Sequence, residues 1–233
     1  MIKLTQEILV MFPQYWKYFV DGARVTVILS IVVVILGSIL GSLVASMRIS
    51  SNFFLSKFAS FYISIFRGTP LYVQLWIWYV LIAKGITIPR ITILWMNLER
   101  VAPAIIALAF NSAAYVAEIV RAGIQAVDSG QSEAARSVGM TKGQAMRFII
   151  MPQAVKNILP AIGNEFVTMI KETAIVRFMG VPDLMYGTNT VITTTYKPLP
   201  ALIIAAIIYY TLNFILSYGV NVFERRLKAS DRN

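Results

Sequence analysis

Long uncharged stretches recur along the chain, and short polar segments between them carry the charges. No charged residue lies between Arg24 and Arg48, and residues 198–223 are likewise uncharged. The stretch 101–120 is uncharged apart from Glu118 near its end. A helix needs roughly 20 mostly apolar residues to cross the hydrocarbon core of a bilayer. These three stretches therefore predict membrane-spanning helices.

Two further stretches, 58–83 and 157–176, are apolar but interrupted. The first is broken near its start by the run Arg67-Gly68-Thr69-Pro70. The second contains Glu165, Lys171 and Glu172. Proline removes a helical hydrogen bond and glycine loosens the backbone, so we expect a break in the second span. With these two, the pattern predicts an all-α integral membrane protein, one domain over residues 1–233 with five spans.

The orientation of the spans follows from the positive charges. Lys and Arg are slightly more frequent in the loops on the C-terminal side, which favours a cytoplasmic C-terminus and, with five spans, an external N-terminus. The N-terminal segment 1–20 mixes aromatic and polar residues. It is either an interfacial helix on the outer leaflet or an aromatic belt that anchors the first span, and both interpretations stay open.

Composition agrees with a lipid environment and removes several classes of function. The 233 residues are 58% hydrophobic and 14% charged, against about a quarter charged in a soluble domain. The net charge is +10, but the apolar runs leave little continuous polar surface for a nucleic-acid interface, so we expect no nucleic-acid partner. His and Cys are both absent. Ser-His and Cys-His nucleophilic pairs and thiolate or imidazole metal sites are therefore excluded, and no metal site is predicted.

The long polar stretch 123–156 lies between the third and fourth spans, on the predicted cytoplasmic side. We expect two short helices here, the first capped by Ser129 or Ser132 and ended by Gly139, the second starting within 140–143. Ala134 and Ala135 offer a smooth surface to another protein. From these residues alone, a docking loop and an ordinary solvated hairpin are both open.

The same stretch resembles a known family. Glu133-Ala134-Ala135, then Gly139, and at a fixed interval Ile149 and Pro152, are similar to the EAA loop of permease subunits in binding-protein-dependent ABC importers. Met151 stands where that family usually has Leu. Nearly the whole chain resembles the polar amino acid permeases through Phe66-Arg67-Gly68-Thr69-Pro70-Leu71, the run from Ala114 to Arg121, Pro152-Gln153-Ala154 and Gly163-Asn164-Glu165-Phe166.

The resemblance implies a fold, a function and a set of partners. It implies the type I ABC importer transmembrane fold, with five spanning helices and a cytoplasmic coupling helix, in a bacterial inner membrane. The implied function is import of a polar or basic L-amino acid of the arginine, glutamine and histidine class. The implied partners are a second permease subunit (identical or a sibling), a cytoplasmic ABC ATPase dimer and an external substrate-binding protein.

The resemblance also implies where coupling takes place. The coupling residues are Glu133, Ala134, Ala135, Arg136 and Gly139. The chain contains no Gly-Lys pair and hence no phosphate-binding loop of the Gly-x-x-x-x-Gly-Lys type. We therefore expect no enzyme activity and no cofactor in this chain, with ATP and Mg²⁺ bound by the partner ATPase.

Polar residues inside the spans are candidates for the substrate pathway, because such groups are costly in lipid and usually face the bundle interior. They are Thr69, Gln74, Asn111, Tyr115, Glu118, Asn164, Glu165 and Thr168. Spacing places Asn111, Tyr115 and Glu118 on one helix face. Arg67 and Gln74 are expected to share a face of the second span. The alternative is that Arg67, Glu118 and Glu165 pair with each other or cap helices.

Two further alternatives concern packing and mechanism. Gly37 and Gly41 form either a dimer face or, as we favour, a packing contact within one subunit. The alternative function is a standalone proton-coupled amino acid carrier that uses Glu118 and Glu165 as a relay. Such a carrier leaves the long cytoplasmic loop without a partner.

Overall fold

The computed structural model describes residues 2–85, 91–93 and 96–229. This part of the chain is mostly helical, with one short antiparallel hairpin, β1 (Thr92–Ile93) and β2 (Met96–Asn97). The helices are α1 (Ile2–Ile49), α2 (Phe53–Gly68), α3 (Leu71–Gly85), α4 (Leu98–Gln125), α5 (Ser129–Ser137), α6 (Lys142–Ala145), α7 (Met151–Glu172), α8 (Leu184–Thr195) and α9 (Pro198–Ala229). A π-helical turn, Met146–Ile150, precedes α7, and a 3-10 segment, Thr173–Met179, follows it.

Three of the described helices are long and apolar enough to cross a membrane: Lys3–Ile49, Leu98–Gln125 and Pro198–Leu227. Each contains one of the three uninterrupted predicted spans, so the prediction that these stretches are helical is confirmed. Near its start α1 leaves helical geometry at Tyr15, with φ −118° and ψ 15°, two residues after Pro13. Because proline cannot donate the helical hydrogen bond, a kink at this point is expected.

The predicted break in the second span is confirmed, since α2 ends at Gly68 and α3 begins at Leu71. Pro70 lies just before α3, and its carbonyl accepts the N–H groups of Val73 at 3.0 Å and Gln74 at 3.2 Å. The expectation that Arg67 and Gln74 share a helix face is wrong, because no continuous helix joins them.

The fourth predicted span contains most of α7 and the start of the 3-10 segment. That segment ends at Gly180, whose φ of +75° is the left-handed conformation that glycine adopts without strain. The hydrophobic pattern predicted neither α8, nor the π-helical turn, nor the hairpin. All three are short, and α8 carries threonines and an asparagine that weaken its apolar pattern.

The described residues form two compact units. The first comprises Met1–Ile35, Thr69–Ala109 and Phe166–Leu216, and the second comprises Leu36–Gly68, Phe110–Glu165 and Ser217–Asn233. A buried cluster of the first unit is Met11, Phe19, Leu184, Val191, Ala201 and Ile204. A buried cluster of the second is Ala45, Ile63, Val116, Ala117, Val120, Ala154 and Ile158.

Small residues allow close helix packing inside the second unit. A Cβ added at Gly37 would lie 2.8 Å from the Ser112 side chain, and one at Gly41 would lie 2.7 Å from the carbonyl oxygen of Ala113. Real Cβ atoms do not approach so closely, so both positions require glycine for α1 to pack against α4. The contact lies within one subunit, as we favoured.

Candidate functional site

Helix α5 carries four of the five predicted coupling residues and is capped at its start by Asp128. The Asp128 carboxylate accepts the backbone N–H of Gly130 at 2.8 Å. The expected caps, Ser129 and Ser132, are wrong, since both lie inside the helix. An aspartate at this position satisfies a free N–H group and places negative charge at the positive end of the helix.

Gly139 ends α5, as predicted, and does so in a specific geometry. Its φ is +86°. Its N–H donates to the carbonyl of Arg136 at 3.0 Å, and the N–H of Met140 donates to the carbonyl of Ala135 at 3.1 Å. These two bonds are the Schellman arrangement that satisfies the last carbonyls of a helix. The next helix, α6, is N-capped by Thr141, which forms a reciprocal capping box with Gln144.

The side chains of α5 divide into an exposed and a buried set. Glu133, Ala134 and Arg136 are exposed, whereas Ala135 is only 5% exposed. Of the two alanines only Ala134 therefore lies on the free surface, and Ala135 packs inside the chain. At 3.3 Å the Gln153 amide donates to the Gln131 side chain and links α7 to α5. The helix thus has one anchored and one exposed face.

Arg67 brings together two of the predicted pathway residues of α4. Its guanidinium lies 5.3 Å from the centre of the Tyr115 ring and 3.9 Å from a Glu118 carboxylate oxygen. The same oxygen accepts hydrogen bonds from Arg121 at 2.7 and 3.0 Å. Glu118 is therefore held between two arginines. This geometry is the structural pairing of Arg67 with Glu118 that the sequence left open.

Asn111 and Glu165 are buried in the second unit, with 3% and 9% of their surface exposed. The Asn111 amide donates to the carbonyl of Phe66 at 3.3 Å, close to the end of α2. Glu165 accepts the Ser112 hydroxyl at 2.9 Å, a contact between α7 and α4. The sequence did not identify Ser112 as the partner of Glu165, although Ser112 directly follows the predicted pathway residue Asn111.

Thr69 and Gln74 of the first unit bond to each other across the helix break. The Gln74 amide donates to the Thr69 carbonyl at 3.0 Å and to its hydroxyl at 2.8 Å. The pair stabilises the turn that Pro70 begins. Asn164 is exposed and Thr168 is half-buried, both on α7.

The sequence prediction missed Asp183, a fully buried carboxylate that caps α8. It accepts the N–H of Tyr186 at 2.8 Å and that of Met185 at 3.2 Å. Burial raises the pKa of Asp183 to about 7, although these N–H groups favour its charged form. An aspartate directly after Pro182 was a readable N-cap signal in the sequence.

Close packing holds the Asp183 cap against α1. A Cβ at Gly22 would lie 2.7 Å from the Asp183 carbonyl oxygen, and the Thr26 hydroxyl accepts the N–H of Leu184 at 3.1 Å. The Tyr209 hydroxyl is close to Asp183, but it forms no hydrogen bond of standard geometry with a described residue. The cap therefore joins α8 to the first span.

Comparison with known proteins gives a family and several relatives. Residues 34–229 match the family described as binding-protein-dependent transport system inner membrane component. The chain is 42% identical to the arginine transport system permease protein ArtQ of Bacillus subtilis strain 168, over 92% of this chain and 94% of the relative. It is 39% identical to a Rickettsia bellii protein assigned by name to glutamine transport, GlnP, over 96% of this chain and 99% of the relative.

Solved structures show a similar fold. A chain of an amino acid ABC transporter crystallised with histidines is 44% identical, with a TM-score of 0.85 over 93% of this chain and 97% of that chain. A chain of the inward-facing MetNI methionine ABC transporter is 19% identical, with a TM-score of 0.72 over 92% and 98%. At that lower identity the likeness concerns the fold alone.

Proposed function

Because the chain belongs to the family of inner membrane components of binding-protein-dependent transport systems, we propose that it imports polar or basic L-amino acids of the arginine, glutamine and histidine class. The names of the arginine and glutamine permeases and of the histidine-bound transporter support this substrate class. The chain is a membrane transport component of an ABC importer, and the ATPase resides in a separate subunit. ATP and Mg²⁺ are bound by that partner, and this chain carries no cofactor.

The coupling helix is the observation that most strongly supports the proposal. Helix α5 is short, exposed on one face and defined by a cap at each end. Its exposed Glu133, Ala134 and Arg136 contact the ATPase in this proposal, while Ala135 and Gly139 maintain the helix and its end. ATP-driven closure of the ATPase dimer then moves the α5 helices of two permeases and changes the side from which the pathway is open.

The proposed assembly contains two permeases, two ATPases and an external binding protein. Each permease spans the membrane five times, with residues 1–20 and the N-terminus outside and the C-terminus in the cytoplasm. The binding protein delivers the amino acid from outside. The second permease is either another copy of this chain or a sibling subunit.

The proposed pathway uses the polar residues within the spans. Glu165 is the candidate partner for the ammonium group or a basic side chain, because its carboxylate is buried within a span, where it accepts the Ser112 hydroxyl. Asn111, Asn164, Thr168, Thr69, Gln74 and Tyr115 are the neutral members of the proposed pathway. Glu118 is restrained by Arg67 and Arg121, so we assign it a supporting role in positioning α4.

Reconstitution tests the proposal. We expect the chain to copurify with a tagged ABC ATPase, and proteoliposomes that contain the complex and its binding protein to take up arginine, glutamine or histidine only with ATP. Uptake that persists without the ATPase and collapses with a protonophore would instead identify a standalone proton-coupled carrier. The pairing of Glu118 with two arginines disfavours its use as a proton relay.

A further inference from the structure

A cavity of about 690 Å³ lies within the first unit, bordered by the end of α7, the 3-10 segment, and parts of α3, α8 and α9. Leu71, Phe178 and Met185 contribute apolar wall. Small-molecule sites typically have volumes of about 300–1,000 Å³ and combine apolar walls with a few polar groups. The cavity is therefore large enough for an amino acid.

Charges of both signs line this cavity: Lys171, Glu172 and Arg177. Lys171 lies close enough to Glu172 to attract it electrostatically. Among the described residues, however, none forms a salt bridge or side-chain hydrogen bond with any of the three. Charged groups beside a membrane span are costly unless they are paired or solvated. A ligand with both charges satisfies all three groups together.

The aromatic wall restricts the guanidinium of Arg177. It stacks 4.6 Å from the centre of the Phe178 ring, and Phe178 in turn contacts the edge of Tyr72 at 5.5 Å between ring centres. Tyr209 also lines the cavity, and its buried hydroxyl lies close to Asp183 and Thr26. The cavity thus presents two cations and one anion.

We propose that this cavity is a second amino acid site, which binds the α-carboxylate through Arg177 and Lys171 and the α-ammonium through Glu172. The proposal rests on the proposed import function, but it uses residues other than the pathway residues. The charges lining the cavity sum to +1, so a neutral polar side chain fits better than a basic one. The ligand class is therefore a zwitterionic amino acid such as glutamine, with arginine bound more weakly.

Equilibrium binding to the purified permease–ATPase complex, without the binding protein, tests the site. The complex carries Glu165→Gln, which removes the proposed pathway carboxylate, and the probes are L-glutamine and L-glutaminamide, whose α-carboxylate is replaced by a neutral amide. Hydrogen bonds to charged groups are among the strong ones, so we expect L-glutamine to bind about tenfold or more tightly than L-glutaminamide. Arg177→Gln should remove most of that difference.

Two further variants separate loss of the site from loss of the fold. Arg177→Lys keeps the positive charge and should restore part of the preference for L-glutamine. The matched control is Arg24→Gln, because Arg24 pairs at 3.0 Å with Asp21 on an exposed surface of the same unit. Equal preference for L-glutamine in Arg177→Gln and Arg24→Gln would overturn the proposal.

A lipid headgroup is the competing occupant and gives a different result. If binding of L-glutamine is unaffected by Arg177→Gln but anionic lipid copurifies only with Arg177 present, the cavity is a phosphate site and the proposal is wrong. Uptake by the intact importer distinguishes the two levels of inference. If the unmodified complex imports no amino acid with ATP, the proposed function also fails. If the unmodified complex imports normally and Arg177→Gln keeps the full preference for L-glutamine over L-glutaminamide, only this site is overturned.

Discussion

Replacement of Gly139 tests whether the end of α5 transmits the ATPase movement. Gly139 has φ +86°, and a Cβ added there would meet nothing within 4 Å. The cost is therefore confined to the backbone, about 1–2 kcal/mol for an L-residue in the left-handed region and more for a β-branched one. Because every 1.4 kcal/mol changes an equilibrium constant tenfold, Gly139→Val should lower the ratio of intact to broken Schellman ends by about tenfold or more.

The loss should affect coupling rather than folding of the whole chain. A cost of this size is small against the roughly 5–15 kcal/mol that stabilises a folded protein, but a nine-residue helix such as α5 has little stability of its own. We expect ATP-dependent uptake to fall about tenfold or more in proteoliposomes, while affinity for the binding protein stays unchanged. Gly139→Asn should retain more uptake, because asparagine tolerates the left-handed conformation.

Gly143 provides a matched control in the same loop. A Cβ at Gly143 also meets nothing within 4 Å, but this residue lies inside α6 and has no positive φ. Alanine is favoured over glycine in a helix, so Gly143→Ala should leave uptake intact. Normal uptake by Gly139→Val, or equal losses in Gly139→Val and Gly143→Ala, would refute the assignment of coupling to the Schellman end.

Three further predictions concern the buried residues. The fold raises the pKa of Asp183 to about 7, so the contribution of protonated Asp183 to stability is complete below about pH 4 and is lost as pH rises towards 7. The melting temperature should therefore differ between pH 5 and pH 8, and Asp183→Asn should reduce that difference. An equal difference in both proteins contradicts the assignment. Glu165→Gln should raise the KM for arginine relative to that for glutamine, whereas an unchanged ratio in side-by-side uptake removes its selective role. Gly41→Ala should lower the free energy of unfolding by about 1–3 kcal/mol through overpacking, because its Cβ would lie 2.7 Å from a backbone oxygen. The control is Gly219→Ala, since a Cβ at Gly219 on α9 meets nothing within 4 Å. Similar melting temperatures for the two variants contradict the packing argument.

The predictions that were confirmed rest on local physics. Charge-free runs predicted the membrane-spanning helices because a charged side chain within the hydrocarbon region of a span is costly. Gly68 and Pro70 predicted the break between α2 and α3, and Gly139 predicted the end of α5, because each acts on its own backbone. The N-cap of α5 was predicted wrongly because several neighbouring polar residues are of types that cap helices. Asp128 rather than a serine caps α5, because its carboxylate accepts the N–H of Gly130.

The sequence by itself determined that this protein is a helical membrane component with an exposed loop of two short helices. It also determined, through the EAA resemblance, the family that the comparisons confirm. Only the tertiary structure decided which polar groups meet: Arg67 with Glu118, Ser112 with Glu165, and the Asp183 cap with Thr26 of α1. These partners are far apart along the chain, and two of the contacts lie where glycines let helices approach closely, Gly37 against Ser112 and Gly22 against Asp183. Spacing along one helix defines a face, but the side chain that meets that face is set by packing.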